Sequence, residues 1–352
     1  MRVALVGVGL IGGSIGLAAR QRCGAHVVGW NRSPAALETA LEIGAIDEAV
    51  SSIADIGTAD VAVAGVAVDA LPRIVAELCE ALPGAVVTDV GSTKGALVRA
   101  AGACPNFIGG HPLAGAETTG VAHAREDLFE GATWYLTPRE ETPGVLYERL
   151  ARFVAGLGAV PTAIGPDDHD RLMAAVSHLP HVVANLMVAQ AAEALDGETL
   201  PATGPSFRDA TRVAGANPEL WAQIYTANRA ALGGQIDDLV RRLGEVRSLL
   251  EADGEQLALW QGQARRQRRA LLEVGLAGSR GAMREIRASV PNKPGVVAQI
   301  ALALGRAGIN ISDMSLAPEA DNRTGVIGLW VGAQDAERAI ELVSGLGYPA
   351  AA

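Results

Sequence analysis

The sequence predicts an α/β chain in three parts: an N-terminal parallel sheet with helices on both faces, an all-helical second part, and a small C-terminal α+β module. Three changes of texture along the chain predict it. Short β-rich apolar runs alternate with helical segments as far as about Gly165, which implies βαβ units. Strand-like runs then vanish, and long segments of helical periodicity follow. From Met283 onward strands and helices return, in the order β-α-β-β-α-(β).

The first strand is residues 2–7, and a helix rich in small residues follows over 11–22. A second strand is expected at 27–30 and a helix at 34–42. Further strands are expected at 61–66 and 86–89 with a helix over 71–81 between them, and later ones at 107–110 and 133–137. The helical part is read as 168–195, 207–214, 218–252 and 255–272. Residues 275–281 (GLAGSRG) are small and polar and read as a linker. In the last part, Ile286, Ala288 and Val290 alternate onto one face of a strand at 283–290. A helix over 294–307, strands at 310–316 and 325–331 and a helix over 335–345 follow, and a final strand would begin near Tyr348. The expected domains are 1–164, 165–275 and 283–352, with 276–282 linking the last two.

Hydrophobic residues make up 49% of the chain and charged residues 19%, enough apolar material for a large core. The net charge of -10, with no long basic run, argues against nucleic acid or an anionic membrane as partner. Cys23, Cys79 and Cys104 are widely spaced and odd in number, forming neither a CxxC pair nor a disulfide framework, so a reducing cytoplasm is expected. The apolar stretch from Arg2 to Ala19 has the length of a secretory leader, but its glycine spacing is better explained by a nucleotide loop. No other run of ~20 apolar residues is uninterrupted, and no membrane span is expected.

Gly7-Val8-Gly9-Leu10-Ile11-Gly12 fits G-x-G-x-x-G between a strand and a helix. Gly7 permits the turn, Gly9 lets the backbone approach a pyrophosphate, and Gly12 allows close helix–strand packing. The N–H groups at the helix start, near Leu10 and Ile11, face the phosphates. This context makes the first part a Rossmann-type, dinucleotide-binding domain. At the end of the second strand stand Asn31, Arg32 and Ser33, where an NAD enzyme usually has Asp or Glu. Asn31 can bond a hydroxyl, Arg32 and Ser33 can hold a 2′-phosphate, and Arg32 can equally be a solvated charge. NAD and NADP both remain open.

Three further stretches are rich in polar chemistry: residues 89–95 (DVGSTKG), residues 109–117 (GGHPLAGAE), and Ser177-His178-Leu179-Pro180-His181 followed by residues 206–212 (SFRDATR). With the glycine loop they resemble, in order, the prephenate/arogenate dehydrogenase family of tyrosine biosynthesis over about residues 1–275. The C-terminal part, with residues 290–295 (VPNKPG) and 308–311 (GINI), resembles an ACT domain, and with its β-α-β-β-α-(β) order reads as ferredoxin-like. The resemblance implies oxidative decarboxylation of prephenate: hydride to the nicotinamide, the hydroxyl proton to a base, and loss of carbon dioxide as the ring aromatises. The alternative substrate is arogenate.

By that resemblance His111 is the base and Ser92 lies beside it, although a serine before a helix can also be its cap. Arg212 is the choice for a substrate carboxylate, with an ion pair to Asp209 on the same helix as the other reading. His181 and His178 are substrate-site candidates, with a core-histidine reading beside them. Ser177 stands beside them as a further substrate-site candidate, and Glu117 and Asp209 are weaker candidates for gating or orienting the pocket. No metal is expected, for the two histidines lack a suitable third ligand, and His26, His123 and His169 have no assigned role. Asn292, Pro294, Gly295 and Asn310 are the residues expected to hold a regulatory tyrosine. The apolar residues of 168–195 exceed what one exposed face can carry, so a homodimer is expected. A β-hydroxyacid-type dehydrogenase would need a lysine on the helical part, and none occurs between Gly95 and Asn292. A non-catalytic sensor of dinucleotide or amino acid would have no reason to keep His111, Ser92, His181 and Arg212 together.

Overall fold

The computed structural model describes residues 1–115, 118–194, 204–251, 254–280, 283–293, 296–309, 311, 313–318 and 323–352. The chain divides into two compact units, Met1–Glu245 and Val246–Ala352.

In the first unit β1 (Arg2–Val6), β2 (His26–Trp30), β3 (Glu48–Ala49), β4 (Val61–Ala64) and β5 (Val86–Asp89) form a parallel sheet ordered β3-β2-β1-β4-β5. The order reverses direction at β1, the switch point where open α/β sheets bind ligands. Along β1, Val3 and Leu5 pack into one core layer, and Ala4 and Val6 into the other. Each strand is therefore apolar throughout, as a sheet covered on both faces requires. α1 (Leu10–Cys23) and α2 (Pro34–Glu42) follow the first two strands, and α1 buries every residue from Gly12 to Ala19. The apolar N-terminal stretch is thus strand and core helix. α3 (Leu71–Ala81) covers the other face through Leu71, Ile74, Val75 and Leu78. On that side Cys79 meets Cys104; burial, then the hydrogen bond its thiol donates to Cys104, pushes the Cys79 pKa up. The two cysteines lie far apart only in sequence.

The short helix α4 (Gly95–Ala100) follows β5. The expected strand at 107–110 does not simply extend the parallel sheet. Phe107 makes one parallel bridge to Val87, and the chain then enters β6 (Gly109–Pro112). β6 pairs antiparallel with β7 (Thr133–Thr137), which runs parallel to β8 (Val160–Ala163). The reason is local: the N–H and carbonyl of Gly110 bond the side chains of Asp89 and Lys94, so they are not available to a β5 ladder. α5 (Gly144–Gly156) leads into β8; neither is among the elements expected above, although Leu146, Leu150, Phe153 and Val154 recur at helical spacing on the buried face of α5, whereas β8 carries no such pattern.

The expected helix 168–195 is three segments, with Leu195 outside the described residues. α6 (Pro166–Met173) passes through a π-turn at Ala174–His178 into α7 (Leu179–Ala194). Pro180 has no N–H for the carbonyl four residues back, and the turn before it widens. α8 (Pro205–Thr211) ends in a 3₁₀ turn at Arg212–Gly215. The expected helix over 218–252 is α9 (Pro218–Ala227) and α10 (Arg229–Leu250), broken at Asn228, whose side chain is committed to other partners. Among the described residues one helix, Pro166–Ala194, is long and apolar enough to cross a membrane by length and composition, although only 22% of its apolar window is buried.

In the second unit α11 (Gly254–Arg280) continues through residues 275–280, which the sequence suggested as a linker. Two glycines at about 1 kcal/mol each, without a proline, do not stop a helix otherwise built of alanine, leucine and arginine. β9 (Met283–Pro291), α12 (Val296–Arg306), β10 (Asp313–Pro318), β11 (Thr324–Gly332), α13 (Ala336–Gly345) and β12 (Ala350–Ala351) form the C-terminal module. Its sheet is antiparallel in the order β10-β11-β9-β12, the split βαβ arrangement, and Ile286, Ala288 and Val290 face its core.

Candidate active site

The site begins at the turn between β1 and α1. Gly7 has φ +97°, and a Cβ there would lie 2.3 Å from the Gly65 carbonyl oxygen. A Cβ on Gly12 would lie 2.1 Å from the Gly7 oxygen, whereas one on Gly9 would meet nothing within 4 Å. Gly7 and Gly12 therefore serve packing, and Gly9 borders open space. That space is a groove of about 640 Å³ lined by Gly7, Gly9, Asn31, Arg32, Gly65 and Arg73 among others. Gly9 caps α1 without a side-chain bond, so the first-turn N–H groups of Leu10, Ile11 and Gly12 present the positive end of a 14-residue helix. A pyrophosphate fits this cradle. Gln223, on α9, reaches the same groove, and its side-chain oxygen is buried without a protein partner. Asn31 accepts from Val8 N at 3.2 Å, and Ser33 Oγ accepts from Ala36 N at 3.4 Å, capping α2.

At the β5 edge of the sheet, a buried ion pair organises the loop after β5 and the start of β6. Asp89 accepts from Gly91 N at 2.8 Å, from Gly110 N at 3.0 Å and from the Lys94 ammonium. Lys94 also donates to the Gly110 carbonyl at 2.7 Å. Both side chains are fully buried. Burial pulls the Lys94 ammonium below its ordinary range, and the Asp89 charge opposes that. Ser92 sits between them on the sequence, but it does not cap α4. The cap position is Lys94, and the N–H groups of Lys94 and Gly95 donate to the Asp170 carboxylate at 2.7 and 2.8 Å. The Ser92 hydroxyl has no protein partner among the described residues.

Asp170 carries the arrangement to His111. Its Oδ1 lies 2.9 Å from His169 Nδ1, and His169 Nε2 lies 2.8 Å from His111 Nδ1. Asp170 accepts the Nδ1–H of His169, so His169 Nε2 carries a lone pair and accepts from His111 Nδ1–H. His111 then presents a bare Nε2 to the site, the tautomer a proton acceptor needs. Burial, with the Lys94 cation and the neighbouring His169 and His178, holds the His111 imidazolium well below the usual histidine range. For Asp170, burial alone would raise the pKa, but the hydrogen bonds from His169, Lys94 and Gly95 together bring it below the usual carboxylate value. His169, to which the sequence assigned no role, is therefore fully buried and central.

A second cluster lies on α7 and α9. His181 stacks on Trp221 with ring centroids 3.4 Å apart, His178 meets the same indole edge-on at 6.0 Å, and Tyr225 packs beside it at 5.4 Å. His178 Nδ1 lies 3.1 Å from Asn228 Nδ2, which also donates to the Asp170 carbonyl at 2.8 Å, so α9 is tied to the His111 chain. Burial lowers His178 to about 4, and burial followed by the Arg212 charge lowers His181. Both rings are neutral at pH 7. Arg212 is exposed and close enough to His181 to act on it. Ser177 is half-buried in the π-turn, Asp209 is exposed on α8, and Glu117 lies outside the described residues. The Tyr225 hydroxyl is buried without a partner. Trp221, Tyr225, His169, Asp170 and Asn228 were not singled out in the sequence. The Trp221–Tyr225 spacing on one helix face and the Asp167–Asp170 polar run were the available signals. Among the described residues no cluster of His, Cys, Asp or Glu could hold a metal.

Two family profiles match the chain: "Prephenate dehydrogenase, nucleotide-binding domain" over residues 15–162 and "Prephenate dehydrogenase, dimerization domain" over residues 165–262. A prephenate dehydrogenase of Bacillus subtilis is 30% identical over 335 residues, 92% of this chain and 90% of that protein. The chain belongs to the prephenate dehydrogenase family. It is a nicotinamide-dinucleotide-dependent oxidoreductase. Among solved structures, the prephenate dehydrogenase of A. aeolicus with hydroxyphenyl propionate and NAD+ is similar with a TM-score of 0.71 and 29% identity, covering 77% of this chain and 98% of that one. The Synechocystis arogenate dehydrogenase matches at 0.70 and 30%, covering 77% and 100%.

This geometry makes a paired prediction. His111→Asn should lower kcat by about 10²–10⁴-fold and leave dinucleotide binding intact, as loss of a general base does. In the unaltered protein the active form has neutral His111 and its pKa is depressed, so the acid limb of kcat/KM should lie below pH 6.5. His169→Ala should cost about tenfold or more in kcat by freeing the wrong tautomer, and should move that limb upward. Steady-state kinetics across pH, with dinucleotide titration of each variant, tests both; a limb that stays in place in His169→Ala contradicts the tautomer assignment.

Proposed function

We propose that the chain oxidises and decarboxylates prephenate to 4-hydroxyphenylpyruvate, within tyrosine biosynthesis. The observation that carries this reading is the bare Nε2 of neutral His111, fixed through His169 and Asp170 between the nucleotide loops and the His178–His181–Trp221 cluster. His111 takes the hydroxyl proton as the carbinol C–H bond breaks. The dinucleotide, when bound, accepts the hydride. The bond from the ring to its carboxylate then breaks, carbon dioxide leaves, and the electron pair runs through the ring to oxygen, which recovers the proton from His111. Aromatisation drives the step, so the protein's task is orientation and one proton transfer. Ser92, with a free hydroxyl, bonds the reacting oxygen. Arg212 receives a carboxylate, neutral His181 and His178 bond the substrate, and Ser177, Asp209 and Glu117 line or orient the pocket. The names of the Bacillus subtilis relative and of the A. aeolicus complex support this choice. Arogenate is the second reading, favoured by the Synechocystis neighbour.

Assay of both substrates should give the higher kcat/KM with prephenate, and Arg212→Ala should raise KM for it more than it lowers kcat, since an anchor present in ground and transition states is lost. A higher kcat/KM with arogenate reverses the substrate assignment.

The working form is a homodimer in the cytoplasm, through the helical region. The α6–α7 segment exposes Val176, Leu186 and Val188, and α10 exposes Val240 and Leu243, each by 40% or more. An apolar face of this kind on a soluble enzyme is usually covered by a second copy. The profile over residues 165–262 bears the name of a dimerization domain, and the three cysteines are free thiols, as in a reducing compartment. Sedimentation equilibrium at micromolar concentration should give twice the chain mass; a monomer there contradicts the dimer.

The C-terminal module acts as an ACT-like sensor of tyrosine. Its split βαβ topology supports this, as does exposed Asn292 in the turn after β9; Pro294, Gly295 and Asn310 lie outside the described residues. Inhibition requires tyrosine to bind the inactive state more tightly than the active one. Tyrosine should inhibit the full chain, and a chain ending at Arg280 should keep activity and escape inhibition. Unchanged inhibition that competes with substrate would assign tyrosine to the active site instead.

A further inference from the structure

We propose that the groove beside the glycine turn selects NADP over NAD, with Arg32 and Arg73 holding the 2′-phosphate of the adenosine ribose. The proposal deepens the dehydrogenase reading and rests on it. Ser92 stands in the loop after β5 and His111 on β6, so the nicotinamide end of a dinucleotide lies on that side of the switch point. β2 lies on the other side of β1, and the turn after it therefore meets the adenosine.

That turn is Trp30-Asn31-Arg32-Ser33 and contains no carboxylate. The 2′-hydroxyl of NAD would find no acceptor of the usual kind there, and a 2′-phosphate would meet no repulsion. Asn31 is neutral, and its side chain already serves the backbone, accepting from Val8 N and donating to the Ser33 carbonyl at 3.4 Å. Arg32 is exposed, lines the groove and has no hydrogen bond or ion pair among the described residues. Arg73, on the first turn of α3, lines the same groove. Its one ion pair, 3.2 Å to Glu77 on its own helix, is exposed and so weak that a phosphate dianion can displace it. Two guanidinium groups facing one groove are a local exception in a chain of net charge -10. Their planar forks suit phosphate oxygens.

One acidic side chain, Asp69, also lines the groove. It is shared with the adjoining cavity that Thr93 and Thr226 line, whereas Asn31, Arg32 and Arg73 are not. Among the described residues Asp69 makes no ion pair with Arg32 or Arg73, whose guanidinium groups remain available to a phosphate. Ala36, Val66 and Ile74 supply apolar lining on which an adenine can rest.

The test is calorimetric titration of the full chain with NADP+, NAD+ and adenosine 2′,5′-bisphosphate, without substrate. NADP+ should bind about 10–100-fold tighter than NAD+, the worth of one or two charge-assisted hydrogen bonds. Arg32→Ala should remove most of that preference, Arg73→Ala part of it, and both should weaken adenosine 2′,5′-bisphosphate. Both side chains are exposed, so folding is not at stake. Asn31→Asp combined with Arg32→Ala keeps the bond to Val8 N and should turn the preference toward NAD+. Equal or tighter binding of NAD+ by the unaltered chain overturns the proposal, and so does an equal loss of both dinucleotides in the arginine variants. Prephenate oxidation is followed separately with each cofactor, so a chain that discriminates in binding but does not oxidise prephenate refutes the substrate reading alone.

Discussion

The buried Asp89–Lys94 pair is the constraint on which the rest of the site depends. It joins the end of β5, the turn at Gly91 and the start of β6, and both charges are out of water. Such a pair contributes little net stability, because desolvation offsets the Coulomb attraction, but removing either partner leaves a bare buried charge. Its value here is positional. By taking the N–H and carbonyl of Gly110, it stops the parallel sheet after Phe107 and turns β6 aside, and this brings His111 to α6.

The same pair also sets the proton chemistry. Lys94 is a cation behind His111, and burial and that charge act in the same direction on the imidazole. A neutral base is secured without a carboxylate in contact with it. The carboxylate in use, Asp170, stands one histidine away and spends its oxygens on His169 and on the N-terminus of α4. It therefore orients His111 through the hydrogen-bond direction while its charge is partly neutralised by backbone donors. Asn228 extends the network by breaking the helix between α9 and α10 and reaching both His178 and Asp170. The helix break and the π-turn before Pro180 are thus features of the site, each re-aiming a side chain that an unbroken helix would point elsewhere.

The nucleotide groove and the chemistry site both adjoin the parallel sheet, with His111 on the neighbouring β6, but they follow different rules. At the β1–α1 turn the backbone itself forms the cradle, so glycines at fixed spacing suffice. At the β5–β6 end the work is done by side chains from segments that meet only in the folded chain.

This difference accounts for what was legible beforehand. The parallel sheet, the glycine turn, the helical middle and the antiparallel C-terminal module follow from local periodicity and glycine placement, which act within a few residues. His111, Ser92, His178, His181 and Arg212 stood out because polar residues at strand and helix ends are conspicuous in an apolar chain. Residues 275–280 continue a helix because two glycines without a proline do not stop it, whereas the break at Asn228 and the role of His169 depend on partners beyond a sequence window. His169 reaches His111 across 58 positions, and Lys94 N reaches Asp170 across 76. Local sequence determined which elements form and which side chains carry chemistry. Tertiary structure alone decided which histidine holds which, since a hydrogen bond is set by distance and direction in space, and neither can be read from positions along the chain.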